Sequence, residues 1–303
     1  MERRVALLDL DLRLLRIFQL VVRHNGFSAA QGALGMSQAT ISAHMKLLEQ
    51  RLGVRLCERG RSGFFLTEAG RQVHSAMLDL FGSIESFQGA VAAVRGDLAG
   101  VLHFGTVDAM YSNATIGLAA ALAEFARAAP RVHLEIDIAA PQELARGVMS
   151  GRYHVVLSPA QDYSGPVETV DLFDEEQRLY CGRGHPLFAV PDAELTPALL
   201  AAQPFAGRSY MSEGPICGIP FRWAAVAAHM EGTALLVSSG AHLAFLPAHF
   251  AAQWVARGEL RALAPDRFTF DDRFQIAFPR KKPIPSAELL VRCLSQHCRR
   301  VES

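Results

Sequence analysis

Helical apolar patterns separated by short glycine-containing breaks occupy the first part of the chain. Apolar positions from residue 12 to 23 fall on one side of a helix, and the run His24-Asn25-Gly26 ends it. A second short helix is predicted over residues 28–34, with Ser28 as its N-cap. A third, capped by Ser37, is predicted up to Gly53. Short helices joined by the Gly35-Met36 turn predict a helix-turn-helix unit.

A β-hairpin is predicted directly after this unit. Strand-like pieces at residues 54–56 and 64–66 flank a basic, glycine-containing turn at residues 59–63. This hairpin has the place and the length of a wing.

A long helix is predicted from Thr67 to about residue 95, with an unusually narrow apolar edge. Apolar or small residues are spaced alternately by four and three positions, while the other faces are polar. A narrow seam needs a partner helix, and the same helix of a second copy is the obvious partner. The residues expected to form this dimer seam are Val73, Met77, Leu80, Ile84, Phe87 and Val91, with Leu66, Gly70 and Val94 continuing the same spacing.

Strand-like and helical runs alternate through the remaining two thirds of the chain. The predicted strands are at residues 101–104, 132–138, 155–157, 177–181, 234–237, 260–263 and 274–278, and the predicted helices at residues 115–128, 142–149, 218–229, 247–257 and 286–300. Such alternation predicts βαβ units with a parallel sheet. The runs form two α/β lobes of similar size.

Charge is distributed unevenly, although the 303-residue chain has a formal net charge of zero. Residues 12–71 contain nine basic and three acidic residues, a net charge of +6 that the rest of the chain balances with −6. A basic head on an acidic body is expected of a protein that binds a polyanion, although a solvated basic face produces the same count.

The cysteines and the apolar segments argue against disulfide-bonded, metal-binding, secreted and membrane-spanning proteins. The five cysteines are scattered, without a C-x-x-C pair or a His/Cys cluster at metal-ligand spacing, so reduced thiols and no metal or other cofactor are expected. The first eleven residues build no signal-peptide core, and no run approaches the length of a membrane span. We expect a soluble, cytoplasmic protein that makes no contact with membranes.

Motifs in the first seventy residues closely resemble the DNA-binding head of LysR-type transcriptional regulators. The runs are Phe27-Ser28-Ala29-Ala30, Ser37-Gln38-Ala39-Thr40-Ile41-Ser42, Leu48-Glu49, Leu52-Gly53-Val54, Leu56-x-Glu58-Arg59 and Leu66-Thr67-Glu68-Ala69-Gly70, with a family-like turn at Val237-Ser238-Ser239-Gly240 before Leu246-Pro247. Such proteins usually carry proline at the position of Ala39 and very often arginine at that of Ala43. Target-site rules of relatives therefore do not transfer directly.

The resemblance implies an N-terminal α-helical winged helix-turn-helix with a long linker helix, and a C-terminal α/β, periplasmic-binding-protein-like effector domain of two subdomains. On this basis we expect the winged helix-turn-helix at residues 1–66, the linker helix at 67–96 and the effector domain at 97–303. Within it, subdomain I takes residues 97–176 and 274–303 and subdomain II residues 177–273. Residues 177–181 and 274–278 are the expected crossover strands.

The same resemblance implies a bacterial regulator that binds a partly palindromic promoter in double-stranded DNA. It also implies a homodimer or homotetramer, contact with RNA polymerase, association with the nucleoid and control by a small polar metabolite.

Side chains near the start of the third helix are the candidates for DNA contacts, because a recognition helix enters the major groove with its N-terminal end. Gln38 can pair with adenine and Thr40 can touch a thymine methyl group. Ser28 and Lys46 are expected on phosphates, and Arg59 and Arg61 on the wing. The full candidate set is Ser28, Gln38, Thr40, Ser42, His44, Lys46, Arg59 and Arg61. His44 as a surface residue and Arg59 as a brace of the wing stay open alternatives.

Loops at the carboxyl ends of strands are the candidates for the effector site, because ligands of α/β sheets bind there. The candidate residues are Thr106, Asp108, Met110, Tyr111 and Ser112 after the first strand, with Ser158, Arg208, Ser209 and Met211 facing them. Hydroxyls and Arg208 suit a carboxylate, whereas Asp108 suits an amine or several hydroxyls. Helix caps at Asp108 and Ser112 and a surface ion pair at Arg208 remain the alternatives.

Two other functions are considered. A catalytic function is disfavoured, because the chain has no nucleophile elbow, zinc-protease, phosphate-loop or dinucleotide motif. Redox sensing rests on Cys217, which lies near the start of the predicted helix 218–229, where a helix dipole lowers a thiol pKa.

Overall fold

The computed structural model describes residues 9–60, 63–94, 98–163, 165–211, 213–280 and 283–298. The chain divides into compact units on either side of the Phe81–Gly82 bond. Within the described ranges, no helix is long and apolar enough to cross a membrane.

Helices followed by a hairpin build the first unit, as the apolar pattern predicts. In chain order they are α1 (Asp9–Arg23), α2 (Gln31–Leu34), α3 (Gln38–Leu52), β1 (Cys57–Gly60), β2 (Gly63–Leu66) and the start of α4 (Glu68–Val94). Gly35 and Gly53 end α2 and α3 in the left-handed conformation, at φ of +61° and +72°. Phe18, Ile41 and Leu48 are buried, which places the apolar faces of α1 and α3 in the core.

The N-cap predicted at Ser28 is wrong. Helix α2 begins three residues later, at Gln31, after a cap at Ala30 that offers no side-chain hydrogen bond. The Ser28 hydroxyl instead accepts a hydrogen bond from the Gln31 side-chain amide at 3.3 Å. The cap predicted at Ser37 is confirmed, because its hydroxyl accepts from the Thr40 amide at 3.2 Å.

The start of α4 is held tightly against the chain before the hairpin. The Thr67 hydroxyl caps the helix through the Gly70 amide at 2.9 Å and donates to the Arg55 carbonyl at 2.6 Å. A β-carbon at position 70 would overlap the carbonyl oxygen of Leu56. Gly70 therefore permits the close approach of α4 to Leu56 within one protomer. The expectation that Gly70 continues the dimer seam is wrong.

Side chains in the N-terminal half of the predicted seam also pack within the protomer. Met77 is only 2% exposed, and α1 reaches this half of α4 through the Phe18–His74 ring contact at 5.9 Å and Arg16 above Phe81. A buried side chain cannot meet a second copy, so Met77 does not belong to a free seam. Further along, Phe87 and Val91 are 69% and 40% exposed.

Strands and helices of the second unit follow the predicted alternation except at residues 218–237, and short elements at residues 197–201, 204–208 and 244–247 are additional to it. Its remaining elements are β3 (Ala99–Thr106), α5 (Leu118–Ala128), β4 (Arg131–Ile138), α6 (Pro141–Ser150), β5 (Val155–Pro159), β6 (Val167–Gly182), α7 (Pro197–Ala201), β7 (Pro204–Arg208), β8 (Arg222–Ala227), α8 (Met230–Ser238), β9 (Ala244–Pro247), α9 (Ala248–Ala256), β10 (Leu260–Ala262), β11 (Thr269–Pro279) and α10 (Pro285–His297).

The assignments at residues 218–237 are reversed. The predicted helix 218–229 contains strand β8, and the predicted strand 234–237 lies in helix α8. Alternating burial along β8 and its pairing with β7 show that a strand face, rather than alanine's helix propensity, decides the structure there. The short apolar run in α8 fits either structure by pattern alone.

A mixed sheet replaces the parallel sheet that the alternation predicts. Among the described residues its strand order is β10-β6-β11-β5-β3-β4, with β9 also pairing with β6. In the described part of this sheet the parallel pairs are β3 with β4 and β3 with β5, whereas β6 and β11 pair antiparallel over most of their length. Strands β7 and β8 form a separate parallel pair.

Two lobes result, each with its own apolar core. Lobe I has its core at residues 102–173 and 274–298, around Phe104 and Leu290. Lobe II has its core within residues 179–270, around Phe205 and Phe245. Strands β6 and β11 contribute to both cores, so they are the strands that cross between the lobes, where the sequence places them.

Gly70→Ala tests the close approach at the start of α4. We expect the change to lower the free energy of unfolding of the first unit by about 1 to 3 kcal/mol, because the added methyl forces α4 away from Leu56. Thermal and urea melts followed by circular dichroism measure it. Gly32→Ala is the matched control, since nothing lies within 4 Å of its added β-carbon. An unchanged melt for Gly70→Ala would contradict the packing described here.

Candidate nucleic-acid interface and effector cleft

Helix α3 presents a polar face outside the core of its unit. Ile41, Met45 and Leu48 are buried on one side of the helix. Around the rest of the helix surface Gln38, Thr40 and Lys46 are exposed, while Ser42 and His44 are half-buried. The face that the apolar residues leave open is therefore the one that carries the predicted base and phosphate contacts.

Hydrogen bonds among small polar residues set the start of this helix. The hydroxyls of Ser37 and Thr40 lie 2.8 Å apart, so the Thr40 hydroxyl is engaged locally and its methyl group is left to make contacts. The Gln31 side chain accepts from the Gln38 amide at 3.2 Å and donates to the Ser28 carbonyl at 3.2 Å. Gln31 thus ties Ser28 to the recognition helix. The sequence motifs do not identify Gln31, because only the folded turn brings its side chain to the N-terminus of α3.

The wing is anchored to α3 from behind. A carboxylate oxygen of Glu49 accepts hydrogen bonds from the amides of Leu56 and Cys57, at 2.8 and 3.4 Å. Arg59 lies in β1 opposite Phe64. Arg61 lies outside the described residues, so its predicted DNA contact remains a prediction.

A cavity of about 690 Å³ opens in the second unit at the carboxyl end of β3. Five of the predicted effector residues line it: Thr106, Asp108, Met110, Tyr111 and Ser112. Further lining comes from β4, α5, α8 and α9, including Ile138, Leu118, Glu231, Phe250 and Gln253. Lobe I and lobe II therefore both contribute to its walls.

The hydroxyl of Thr106 is buried and unpartnered in this cavity wall. The residue is 4% exposed, and its Oγ1 has no hydrogen-bond partner within the described part of the chain. A buried hydroxyl without a partner costs free energy, so such an atom points to a bound group that supplies one.

Asp108 joins the lobes directly. Its carboxylate accepts a hydrogen bond of 2.6 Å from the Met230 amide at the first turn of α8, and His229 lies 3.6 Å from the same oxygen. Burial raises the pKa of this carboxyl, and the nearby Glu231 adds to the rise, whereas the Met230 amide opposes it. Asp108 is thus a helix cap, as the alternative expectation has it, but for a helix of the other lobe.

Arg208 is a buried member of a polar network rather than a surface residue. It is 4% exposed, and its guanidinium donates to the Tyr210 hydroxyl at 3.1 Å and to Gln177 at 3.5 Å. Asp272 lies 3.8 Å away, and burial raises the pKa of that carboxyl, while Arg208 opposes the rise. The charge of Arg208 is used inside the protein, and this residue does not line the cavity.

The other predicted effector residues also lie outside the cavity lining. Ser158 is buried, and its hydroxyl donates to the Pro159 carbonyl at 3.1 Å. The Ser209 amide donates to the Ala227 carbonyl, and the Met211 sulfur accepts from Arg208 at 3.3 Å. The strand ends that carry these residues face the network of Arg208 and the crossover strands instead.

A polar chain that the sequence did not reveal links the lobes through His249. Its Nδ1 lies 2.9 Å from the Ser112 hydroxyl, and its Nε2 lies 2.7 Å from the buried carboxylate of Glu175. Asn113 also donates to Glu175, at 3.2 Å. These residues are far apart in sequence and belong to no local motif, so only the tertiary structure assembles them.

Cys217 does not lie at a helix start. It is an exposed residue in a turn, with a φ of +50°, before strand β8. Its thiol lies 3.5 Å from the Thr269 carbonyl, and partial burial raises the pKa of the thiol. The expected lowering by a helix dipole is therefore wrong.

Comparison with known proteins matches both units to one family. The model described as "Bacterial regulatory helix-turn-helix protein, lysR family" matches residues 12–71. The model described as "LysR substrate binding domain" matches residues 95–299.

Curated relatives and solved structures agree with this match. The chain is 38% identical to the HTH-type transcriptional activator BauR of Pseudomonas aeruginosa, over 86% of this chain and 87% of BauR. It is 29% identical to the HTH-type transcriptional regulator CbbR of Xanthobacter flavus, over 83% and 77% of the two chains.

The fold is similar to that of CbnR, a LysR family transcriptional regulator, with a TM-score of 0.65, 21% identity, and coverage of 95% of this chain and 99% of that one. Full-length CbnR complexed with its target DNA gives a TM-score of 0.63 at 22% identity, covering 94% and 99%. With a winged helix-turn-helix and a two-lobed α/β domain each matched, this chain belongs to the LysR family of transcriptional regulators.

Proposed function

We propose that the chain regulates transcription by inserting α3 into the major groove of promoter DNA, under the control of a small molecule bound between the lobes. The polar face of α3, exposed above a buried apolar face and backed by the wing, is the observation that carries the proposal. A helix with this division of faces presents side chains to base edges while its other side stays in the core.

Each candidate DNA contact has a chemical role in this proposal. Gln38 reads adenine, and the Thr40 methyl group packs on thymine, with Ser42 one turn beyond Gln38 and His44 one turn beyond Thr40. Lys46 and Ser28 hold phosphates, and Arg59 and Arg61 bring positive charge to the wing. The site is a partly palindromic one, because a dimer presents two copies of α3.

The effector acts on the contacts that join the lobes. Asp108, in the cavity wall, accepts a hydrogen bond from α8, and outside the cavity Gln142 donates to the Tyr210 carbonyl at 3.0 Å, so hydrogen bonds join the lobes at the cavity and elsewhere. A ligand shifts the lobe arrangement only through different affinities for two arrangements, and a coupling of about 1 to 3 kcal/mol suffices.

Assembly follows from the exposed part of α4. Phe87 and Val91 pair with the same helix of a second copy, together with Leu80 and Ile84, giving a homodimer or homotetramer that contacts RNA polymerase. The chain thus works as a winged head at 1–66, a linker at 67–96 and an effector domain at 97–303. As a promoter-binding protein, it belongs in the cytoplasm, on the nucleoid.

Catalysis is not part of this proposal, although Ser112, His249 and Glu175 lie in a row. The Ser112 hydroxyl also lies 3.0 Å from the Ala109 carbonyl, and His249 is bound at both ring nitrogens. Because these hydrogen bonds join residues of both lobes, their role in this proposal is to hold the lobes together. The relatives reported above are named as transcriptional regulators.

DNA binding by the full chain tests the role of α3. Gln38→Ala is expected to lose about 1 to 3 kcal/mol of discrimination at one base pair per half-site. Lys46→Ala is expected to weaken binding to all sequences alike and to flatten the salt dependence, because one phosphate contact is lost. Fluorescence anisotropy with a duplex selected by the wild-type protein, at several salt concentrations, measures both.

Gln50→Ala is the matched control, since Gln50 is exposed towards the other end of α3. Binding that does not depend on salt, or a Gln38→Ala variant that behaves as Gln50→Ala does, would contradict the assignment.

Sedimentation velocity tests the exposed half of α4. Placing Glu at both Phe87 and Val91 is expected to give monomers with folded effector domains and weak DNA affinity, because like charges then face each other across the seam. Gln88→Glu, an exposed position between them, should remain dimeric. A dimeric double variant would show that the copies meet elsewhere.

Peroxide treatment separates effector control from redox control. Because the raised pKa keeps the Cys217 thiol protonated near neutral pH, we expect DNA affinity to be the same before and after mild peroxide, in wild type and in Cys217→Ser. A peroxide response that Cys217→Ser abolishes would establish redox sensing in its place.

A further inference from the structure

The charged residues that line the effector cavity are both acidic. They are Asp108 and Glu231, and no lysine, arginine or histidine is among the lining residues that the described part of the chain supplies. His229, which does not line the cavity, lies 3.6 Å from the Asp108 carboxylate. Arg208, the cation expected at this site from the sequence, is buried against Gln177, Tyr210 and Asp272. The carboxylate ligand that Arg208 suggests from sequence thus has no basic partner in the cavity wall.

The backbone amide at the start of α8, beside this cavity, already has a hydrogen-bond acceptor within the protein. The Met230 amide, which opens α8, donates to the chain's own Asp108 at 2.6 Å, and Glu231 adds a second negative charge in the same turn. An anion placed there would displace one carboxylate and face another. A cation, by contrast, relieves the repulsion between the two carboxylates that contributes to the raised pKa of Asp108.

Thr106 supplies an independent sign of a ligand. Thr106 lines the same cavity, and its buried Oγ1, unpartnered among the described residues, is a hydroxyl oxygen that can accept a hydrogen bond. An ammonium group carries donors for two carboxylates and a hydroxyl at once. Apolar side chains make up most of the remaining wall, including Met110, Leu118, Ile138 and Phe250.

We propose that the cavity binds an organic cation with an apolar body, of the alkylammonium class, whose ammonium group lies among Asp108, Glu231 and Thr106. This inference rests on the proposed function and names the chemistry of its effector. The volume of about 690 Å³ accommodates a small molecule of this kind.

The location also couples the ligand to the lobes. Asp108 holds lobe I to the first turn of α8 in lobe II, and Glu231 belongs to that turn. A cation between the two carboxylates therefore favours one arrangement of the lobes.

Calorimetric titration of the full-length dimer with hexylammonium, hexanoate and hexanol tests the charge requirement, because the three probes share one apolar body. We expect binding of hexylammonium alone. Affinity should rise about threefold to fourfold for each added methylene between butylammonium and octylammonium, because the apolar wall buries the chain. Binding of hexanoate in preference to hexylammonium would overturn the proposal.

Variants assign the binding to this cavity. Glu231→Gln and Asp108→Asn are each expected to weaken hexylammonium binding on the order of tenfold or more, because a desolvated charge pair is broken. Thr106→Val should weaken it less. Asp171→Asn is the matched control, since the Asp171 carboxylate is 64% exposed and outside the cavity. Equal affinity of Glu231→Gln, Asp108→Asn and Asp171→Asn would overturn the assignment, even if one variant folds poorly.

A second measurement separates the inference from the function on which it rests. If hexylammonium binds but leaves DNA affinity unchanged, the cation site stands and effector control through it fails. If no probe binds and Ile138→Glu converts the dimer to monomers in sedimentation, a second copy occupies the cavity mouth and the cation site is overturned. Salt-dependent DNA binding in that case would leave the regulator function intact.

Discussion

The antiparallel pairing of β6 with β11 is the constraint on which the effector domain depends. The ladder runs from Thr269 opposite Arg178 to Pro279 opposite Val167, and residues of both strands enter the cores of both lobes. Because both strands belong to both lobes, any change in the arrangement of the lobes has to be accommodated by these two paired strands.

Buried polar groups on these strands determine how the lobes meet. Glu175 and Gln177 are buried on β6, at positions where apolar side chains would need no hydrogen-bond partner. A hydrogen bond of 2.8 Å joins their side chains. Their remaining hydrogen bonds come from His249, Asn113 and Arg208, which reach them from both lobes. Because an unsatisfied buried carboxylate is costly, this set of partners specifies one arrangement of the lobes. Any ligand that competes for these groups, or for Asp108 beside them, acts on that arrangement.

The two halves of α4 have different surroundings. Gly70 and Met77 are committed to the protomer's own winged head, whereas Phe87 and Val91 are exposed. The uniform spacing of apolar residues does not distinguish the two halves of α4. It indicates that one edge of the helix is covered, but it does not indicate which part of the protein or which partner covers that edge. The head is thus fixed to the start of the helix, and the exposed end is available to a second copy.

Sequence alone determined the order of elements in the head, the cap at Ser37 and the family, because each depends on local spacing or on a contiguous motif, and the family resemblance in turn implied the two crossover strands. It also brought Thr106, Asp108 and Ser112 to one loop. Only the tertiary structure decided that residues 222–227 form a strand, that Arg208 is buried away from the cavity, and that His249 meets Glu175 and Ser112. The physical reason is range: helix caps and apolar periodicity act over a few residues, whereas burial and charge pairing join groups more than sixty positions apart.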